Sequence, residues 1–104
     1  MKFIRIACHT DEFYKSPPEN FGVLLEEHKV WLEKQKKSGK LIDAFLLAGN
    51  KDGDRNIFIW EFESTDEIDK CIWEDPIGFT FNWEIYPAID VFEHIQNVLP
   101  KFTR

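Results

Sequence analysis

The chain has 104 residues, of which 43% are hydrophobic and 31% charged, a composition typical of one folded soluble domain and outside the range of disordered proteins. A formal net charge of -6 and the absence of a dense basic stripe argue against nucleic acid as a partner. No apolar run reaches the roughly 18 residues of a membrane span, and charges interrupt the N-terminal run. We therefore expect a single domain over residues 1–104, cytoplasmic and without a membrane partner.

The first strand and the first helix have clear sequence signals. KFIRIAC, residues 2–8, predicts a strand, and the polar segment at 9–20 predicts a loop. Ser16, followed by two prolines, predicts the N-cap of a helix that ends at Gly39.

A hairpin follows the first helix. LIDAFLLA at 41–48 and NIFIWEFE at 56–63 predict two strands, and GNKDGD at 49–54 predicts the turn between them.

The last third of the chain predicts helix, strand and helix. Ser64 and Glu67 have the spacing of a capping box, and Asp75-Pro76 marks the end of that second helix. FTFNWEIY at 79–86 alternates as a fourth strand does. A final helix is expected over 88–99.

The order βαββαβ predicts an α+β fold of the ferredoxin-like type, with a four-stranded antiparallel sheet and both helices on one face. The opposite face then lacks cover. We expect Phe58, Trp60 and Phe62 to form an apolar patch on it. Pairing with a second copy would bury this patch, so a homodimer or larger homo-oligomer is expected, with the C-terminal helix packed on the pair.

His28 is the most informative polar residue of the first helix. It lies near the middle of an apolar stripe of about 120° that includes Leu24, Leu25 and Trp31. One interpretation is a core histidine with a satisfied hydrogen bond. The other is an acid/base group in a cleft between helix and sheet.

Each predicted strand also has one charged residue among its apolar ones. These are Arg5, Asp43, Glu61 and Glu84. A structural interpretation places Asp43 and Glu84 at solvated sheet edges, and Arg5 and Glu61 in interface ion pairs. The alternative is that they line a polar pocket.

Other signals for chemistry are weak. His9, at the start of the predicted loop, is expected in solvent or at a pocket rim. Cys8 and Cys71 have no metal-ligand spacing, and no phosphate loop or nucleophile motif occurs, so no metal and no cofactor are expected.

The string HKVWLEKQKKSGKLIDAFLLAG at 28–49, then ESTDEID, Asp75-Pro76 and NWEIYP, resembles the dimeric α/β-barrel superfamily over nearly the whole chain. The helix ending in SGK, the strand closing in AG and the later segments are similar to muconolactone isomerase. The placement of His28, Gly39 and Asp75-Pro76 resembles YCII-related proteins, in which a helix histidine and an acidic partner are proposed to act together.

These observations support two hypotheses. The first is a cofactor-independent enzyme acting on a small organic molecule, with His28 as acid/base, Asp43 as its orienting carboxylate and substrate contacts from four further residues: Arg5, His9, Trp31 and Glu84. The second is a noncatalytic ligand-binding or assembly module of the same fold. A third option, an oxygenase of the cofactor-free or haem-binding barrel type, would be revealed by colour or haem uptake.

Overall fold

The computed structural model describes residues 1–49 and 54–103 of the chain. The strands are β1 (Lys2–His9), β2 (Leu41–Leu47), β3 (Arg55–Glu61) and β4 (Phe81–Ala88). The helices are α1 (Asp11–Lys15), α2 (Phe21–Lys37), α3 (Thr65–Trp73) and α4 (Val91–Val98), and 3-10 turns occupy Gly78–Thr80 and Leu99–Lys101. The predicted βαββαβ order with a C-terminal helix is confirmed, and α1 is an additional short helix.

The strands form one antiparallel sheet in the order β2-β3-β1-β4. The helices α2 and α3 supply the two crossovers, and their buried residues meet in one core on the same side of the sheet. This is the ferredoxin-like α+β arrangement. The edge strands are β2 and β4, as predicted.

The core lies between the two long crossover helices and the sheet. In β1, Phe3, Arg5 and Ala7 are all 0% exposed, because alternate residues of a strand point to the same face. Arg5 is therefore held inside the protein by its two apolar neighbours on that face. In the β1–β3 ladder it is paired with Phe58.

The predicted location of the aromatic patch is wrong. Phe58, Trp60 and Phe62 are 3%, 0% and 7% exposed, and they pack in the core under the helices. The strand alternation correctly separates them from Ile57 and Ile59, but it cannot say which of the two sets the helices cover. The helices cover the aromatic set, whose larger rings fill the space between helix and sheet.

The uncovered face of the sheet is apolar all the same, and we call it the open face. The strand registers place seven apolar residues on it, together with charged ones that include Arg55 and Glu84; the apolar residues are Ile4, Ile6, Phe45, Leu47, Ile57, Ile59 and Tyr86. Phe45, Leu47 and Tyr86 are about half exposed, at 53%, 49% and 50%. The expectation of an uncovered apolar face therefore holds with different residues.

The start of α2 differs from the prediction, whereas its end agrees. Ser16 is the C-cap of α1, and α2 begins after Asn20. Thr10 starts the unexpected α1 by accepting a hydrogen bond from the Phe13 amide. At the other end, Gly39 has φ +81°, the left-handed conformation in which glycine commonly ends a helix.

The hairpin between β2 and β3 has a local irregularity at its start. The pairing shifts by one residue between Leu41 and Asp43, a β-bulge that changes the side-chain alternation of β2. The predicted turn at 49–54 lies largely outside the described residues, because residues 50–53 are not among them.

The cap of α3 is confirmed in part, and β4 begins later than predicted. The Ser64 hydroxyl accepts a hydrogen bond from the Glu67 amide, and the Glu67 carboxylate accepts one from the Glu63 amide. The chain then turns through Gly78–Thr80 before β4. Phe79 therefore precedes the strand and is 66% exposed instead of buried.

The C-terminal helix α4 has no buried residue. Its N-cap is Asp90, whose carboxylate accepts hydrogen bonds from the Phe92 and Glu93 amides. Its apolar side chains are exposed, with Phe92 at 76% and Ile95 at 48%. An isolated helix of eight residues is marginal in water, and the predicted packing of α4 on a dimer stays a prediction.

Candidate functional site

His28 lies on the inner side of α2 and is 7% exposed. Its Nδ1 atom is 2.6 Å from the Asp75 Oδ1 atom. Asp75 follows Glu74, the C-cap of α3, and precedes Pro76, so the end of one crossover helix meets the middle of the other. An ionised carboxylate only accepts hydrogen bonds, so Nδ1 carries the proton and donates it.

Arg5 is the third member of this buried group. Its Nη1 atom donates to the Asp75 Oδ2 atom over 3.1 Å, and both side chains are fully buried. Arg5 comes from β1, His28 from α2 and Asp75 from the α3–β4 connection. The fold thus brings together three charged or titratable side chains that are up to 70 residues apart in sequence. We call Arg5, Asp75 and His28 the buried polar triad.

Asp75 has an additional donor in the Ile77 amide, 3.1 Å from Oδ1. Burial alone would raise the pKa of this carboxyl, but the hydrogen bond and charge of His28, the Ile77 amide and Arg5 together lower it below its ordinary value. Asp75 is therefore ionised at neutral pH. Burial lowers the pKa of Arg5 and Asp75 opposes that shift, and a guanidinium stays protonated in proteins.

The predicted partnership of His28 with Asp43 is not the one that the structure shows. Asp75 occupies Nδ1, and the Asp43 carboxylate instead accepts a hydrogen bond from the following amide, Ala44, over 2.9 Å. A bulge lies between Leu41 and Asp43, and the register after it pairs Asp43 with Ile59 of the open face. Asp43 still lines the same depression as His28.

That depression lies between α2 and β2 and has a volume of about 580 Å³. We call it the α2–β2 depression, and its lining residues are Gly22, Leu25, Glu26, His28, Lys29, Leu32, Glu33, Lys36, Leu41, Asp43 and Ala44. Most of its lining surface is apolar, although five of the eleven lining residues are charged. Charged side chains of both signs stand among them.

His28 is one of the residues that line this depression, and its second ring nitrogen is Nε2. Among the described residues it has no hydrogen-bond partner, and it is not one of the buried polar atoms left without one. Asp75 occupies Nδ1, so Nε2 is the ring nitrogen left for a ligand. A neutral imidazole in this state presents a lone pair at Nε2, which can accept a proton from a molecule in the depression.

His9 is used differently from the predicted pocket-rim residue. It ends β1, and its ring stacks between Phe13 at 3.9 Å and Phe81 at 4.4 Å. Its Nδ1 atom is 3.1 Å from the Thr80 hydroxyl, which donates its own proton to the Ile77 carbonyl. Nδ1 must therefore donate. Burial lowers the pKa of His9, so it acts as a neutral ring joining α1 to β4.

Two more predicted substrate contacts lie away from the α2–β2 depression. Trp31 is 9% exposed, and its ring lies 6.0 Å from that of His28 and 5.6 Å from that of Trp60, so it packs behind the histidine. Glu84 lies on the open face, where it accepts a 2.6 Å hydrogen bond from the Tyr86 hydroxyl and raises the pKa of that tyrosine. The triad lies on the other side of the sheet.

The remaining predicted ion pairs also have other positions. Arg5 pairs inside the protomer and not at an interface, and Glu61 pairs with the N-terminal ammonium over 2.9 Å at the surface. Both cysteines are free, and burial raises the pKa of Cys71 to about 11, which makes its thiol unreactive.

Two further features concern residues 1–49 and 54–103 only. These residues contain no group of three or more His, Cys, Asp or Glu placed to hold a metal ion. They also contain no helix long and apolar enough to cross a membrane.

The role of Asp75 is the main feature that the sequence interpretation missed. The pattern Asp75-Pro76 indicates the end of a helix. His28 lies 47 residues earlier in the chain, and that spacing does not indicate a contact with Asp75. The available signal was the resemblance to YCII-related proteins, in which a helix histidine has an acidic partner.

Comparison with known proteins supports the fold. No protein-family model matches the chain, and no curated protein matches it. Among solved structures it is similar to the 5-chloro-2-hydroxyhydroquinone dehydrochlorinase TftG from Burkholderia phenoliruptrix AC1100, in complex with 2,5-dihydroxybenzoquinone. The TM-score is 0.61 at 22% identity, over 86% of this chain and 94% of that one. The chain therefore has the α+β fold of that dehydrochlorinase, a four-stranded antiparallel sheet with its helices on one face.

Proposed function

We propose that the protein is a cofactor-independent enzyme that transfers a proton to or from a small organic molecule, with His28 Nε2 as the acid/base atom. The observation that carries this proposal is the 2.6 Å contact between His28 Nδ1 and Asp75 Oδ1, combined with the place of His28 in the lining of the α2–β2 depression. A buried carboxylate at one ring nitrogen fixes the tautomer and stabilises the imidazolium that forms when the other nitrogen takes a proton.

The α2–β2 depression supports the choice of a small substrate. Its volume of about 580 Å³ falls within the range of small-molecule sites, and most of its lining surface is apolar. Lys29 and Lys36 are cations at its wall, and Asp43 is an acceptor for a substrate hydroxyl. A small, partly apolar molecule with an oxygen substituent fits this lining.

The similarity to TftG is consistent with a small organic substrate. TftG acts on a chlorinated hydroxyhydroquinone, a small oxygenated ring. Together with the pairing of a helix histidine and an aspartate, this favours the YCII-like branch of the dimeric α/β-barrel superfamily over the muconolactone-isomerase-like branch. Fold similarity does not name a reaction, so the proposal rests on the geometry of His28 and Asp75.

A ligand screen tests the proposal. Hydroxylated rings, lactones and small carboxylic acids are screened for a rise in the melting temperature of the native chain, and hits are titrated against His28→Ala. The matched control is His94→Ala, which removes an exposed histidine from α4. We expect at least a tenfold loss of affinity or turnover in His28→Ala only. Unchanged binding and turnover in both variants would refute the acid/base role.

We also propose that the protein is a homodimer that pairs through the open face. The observation in favour is the row of aliphatic side chains on that face, including Ile57 and Ile59, together with the exposed apolar side of α4. Monomeric proteins rarely leave contiguous apolar surfaces of this kind exposed. A noncatalytic assembly module would also pair through the open face. Dimerisation alone therefore does not distinguish the enzyme hypothesis from the assembly-module hypothesis.

The two hypotheses differ in what the α2–β2 depression does. A module whose only role is assembly predicts no ligand with a melting-temperature effect that depends on His28. The enzyme hypothesis predicts such a ligand, and it predicts that dimer-disrupting changes on the open face leave the His28–Asp75 contact intact.

A further inference from the structure

Arg5 cannot be a substrate contact in this structure. Its side chain is 0% exposed, and its guanidinium carbon lies 5.1 Å from the Phe58 ring, 5.6 Å from the Phe81 ring and 5.7 Å from the Trp83 ring. A charged residue that no ligand reaches needs another explanation, because burying a charge is costly.

The contacts of Asp75 supply that explanation. Its two carboxylate oxygens have separate partners: Oδ2 faces Arg5, while Oδ1 accepts from His28 and the Ile77 amide. This division fixes the rotation of the carboxylate. Without the Arg5 contact, Oδ2 would be a buried, unpaired anionic oxygen, and the carboxyl would gain protons more readily.

A protonated Asp75 would reverse the hydrogen bond to His28. If the carboxyl carried a proton toward His28, Nδ1 would become the acceptor and the imidazole proton would move to Nε2. In that tautomer Nε2 has no lone pair for a substrate proton. The charge state of Asp75 therefore determines whether His28 is ready to act as a base.

We propose that Arg5 is a positioning residue that keeps Asp75 ionised and its Oδ1 atom turned toward His28, so that Nε2 is the proton-accepting nitrogen. This inference rests on the proposed function of His28. It assigns Arg5 to the site through Asp75, in place of the substrate contact expected from the sequence.

The aromatic surroundings of Arg5 fit this role. Among the described residues its Nε and Nη2 atoms have no hydrogen-bond acceptor, so the three ring faces hold the cation and Asp75 is its one ion-pair partner. Cation–π contacts stabilise a buried guanidinium without competing for its hydrogen bond to the carboxylate. Arg5 is thus directed to a single acceptor.

The test compares Arg5→Met, which keeps an unbranched side chain without charge, with Arg5→Lys, which keeps the charge. The measurement is long-range ¹H–¹⁵N NMR of the His28 ring at neutral pH, which identifies the protonated nitrogen without any substrate. We expect the proton on Nδ1 in the native chain and in Arg5→Lys. In Arg5→Met we expect it to move to Nε2. A proton that stays on Nδ1 in Arg5→Met would overturn the inference.

A second measurement covers the case in which Arg5→Met does not fold. The ¹³C shift of the Asp75 carboxyl is followed with pH in the native chain and in Arg5→Lys. We expect an ionised carboxyl at neutral pH in both, and protonation at neutral pH in the native chain would overturn the inference.

These results are separable from the proposed function. If the tautomer depends on Arg5 but His28→Ala leaves ligand binding and turnover unchanged, Arg5 positions the ring and the catalytic proposal fails. If His28→Ala abolishes turnover but the tautomer is the same in Arg5→Met, the catalytic proposal holds and the positioning role fails.

Discussion

Replacing Asp75 by asparagine keeps the shape of the side chain and removes its charge. The native carboxylate accepts hydrogen bonds from Arg5, His28 and the Ile77 amide. Asparagine has one acceptor oxygen, so its amide NH₂ must face one of these donors. The Arg5 guanidinium then has no counter-ion inside the core.

The expected loss of stability follows from this unpaired charge. Breaking a buried ion pair by removing one partner costs about 3–5 kcal/mol. A domain of this size has a free energy of unfolding of roughly 5–15 kcal/mol, so the loss is a large share of the total. We expect the urea midpoint of Asp75→Asn to fall accordingly, with little change in the slope of the transition.

The control for this experiment is Asp43→Asn, which removes a partly exposed carboxylate from the α2–β2 depression. We expect its free energy of unfolding to stay within about 0.5 kcal/mol of the native value. A loss below about 1 kcal/mol in Asp75→Asn would refute the interpretation of Asp75 as the counter-ion of a buried cation. Adding Arg5→Met to Asp75→Asn should recover part of the lost stability, because the unpaired charge is then absent.

Three further predictions concern pH, the end of α2 and the open face. The pKa of Asp75 is lowered on folding, so the stability that this carboxylate contributes is present above its unfolded pKa near 3.9 and is lost as the pH falls through its folded pKa. Acid titration monitored by circular dichroism should therefore show a smaller loss of stability in Asp75→Asn than in the native chain. Equal losses of stability in the two proteins would contradict this. Gly39→Ala places a side chain at φ +81°, so thermal unfolding should report a loss of about 1–2 kcal/mol, and no loss would show that the helix can end another way. Ile59→Glu should raise the dimer dissociation constant at least tenfold in analytical ultracentrifugation, while Val30→Glu on the outer side of α2 should not; equal behaviour of the two variants would exclude the open face as the interface.

The order and type of the main elements could be predicted from the sequence because each has a local signal. Each of these signals involves only a few neighbouring residues. They are the alternation in β1 and β4, the left-handed Gly39 after α2 and the N-cap at Ser64. The start of α2 was harder to predict. Ser16 followed by two prolines fits a helix N-cap, but this local pattern does not show whether a helix begins there. In the structure Ser16 closes α1 instead.

The side of the sheet that faces the helices could not be predicted. Alternation in β3 separates Ile57 and Ile59 from Phe58 and Trp60, but both sets are apolar. The choice depends on the volume that the helices must fill, which is a property of the packed structure and not of one strand. The aromatic set has the volume and occupies the core.

The candidate site shows the same limit. The position of His28 on an apolar stripe indicated a site, and the structure places His28 in the lining of a depression. Its partner was predicted as Asp43 because both were expected to face one cleft. The actual partner, Asp75, is brought there by the way α3 packs beside α2, and that long-range contact has no counterpart in local sequence patterns.

The central claim is that a small molecule reacts at His28 Nε2 in the α2–β2 depression. A crystal structure with a ligand found in the screen tests it most directly. We predict a polar atom of the ligand within about 2.6–3.2 Å of Nε2, with Asp75 still bonded to Nδ1. A ligand bound on the open face, or one in the depression with Nε2 pointing away from it, would contradict the claim.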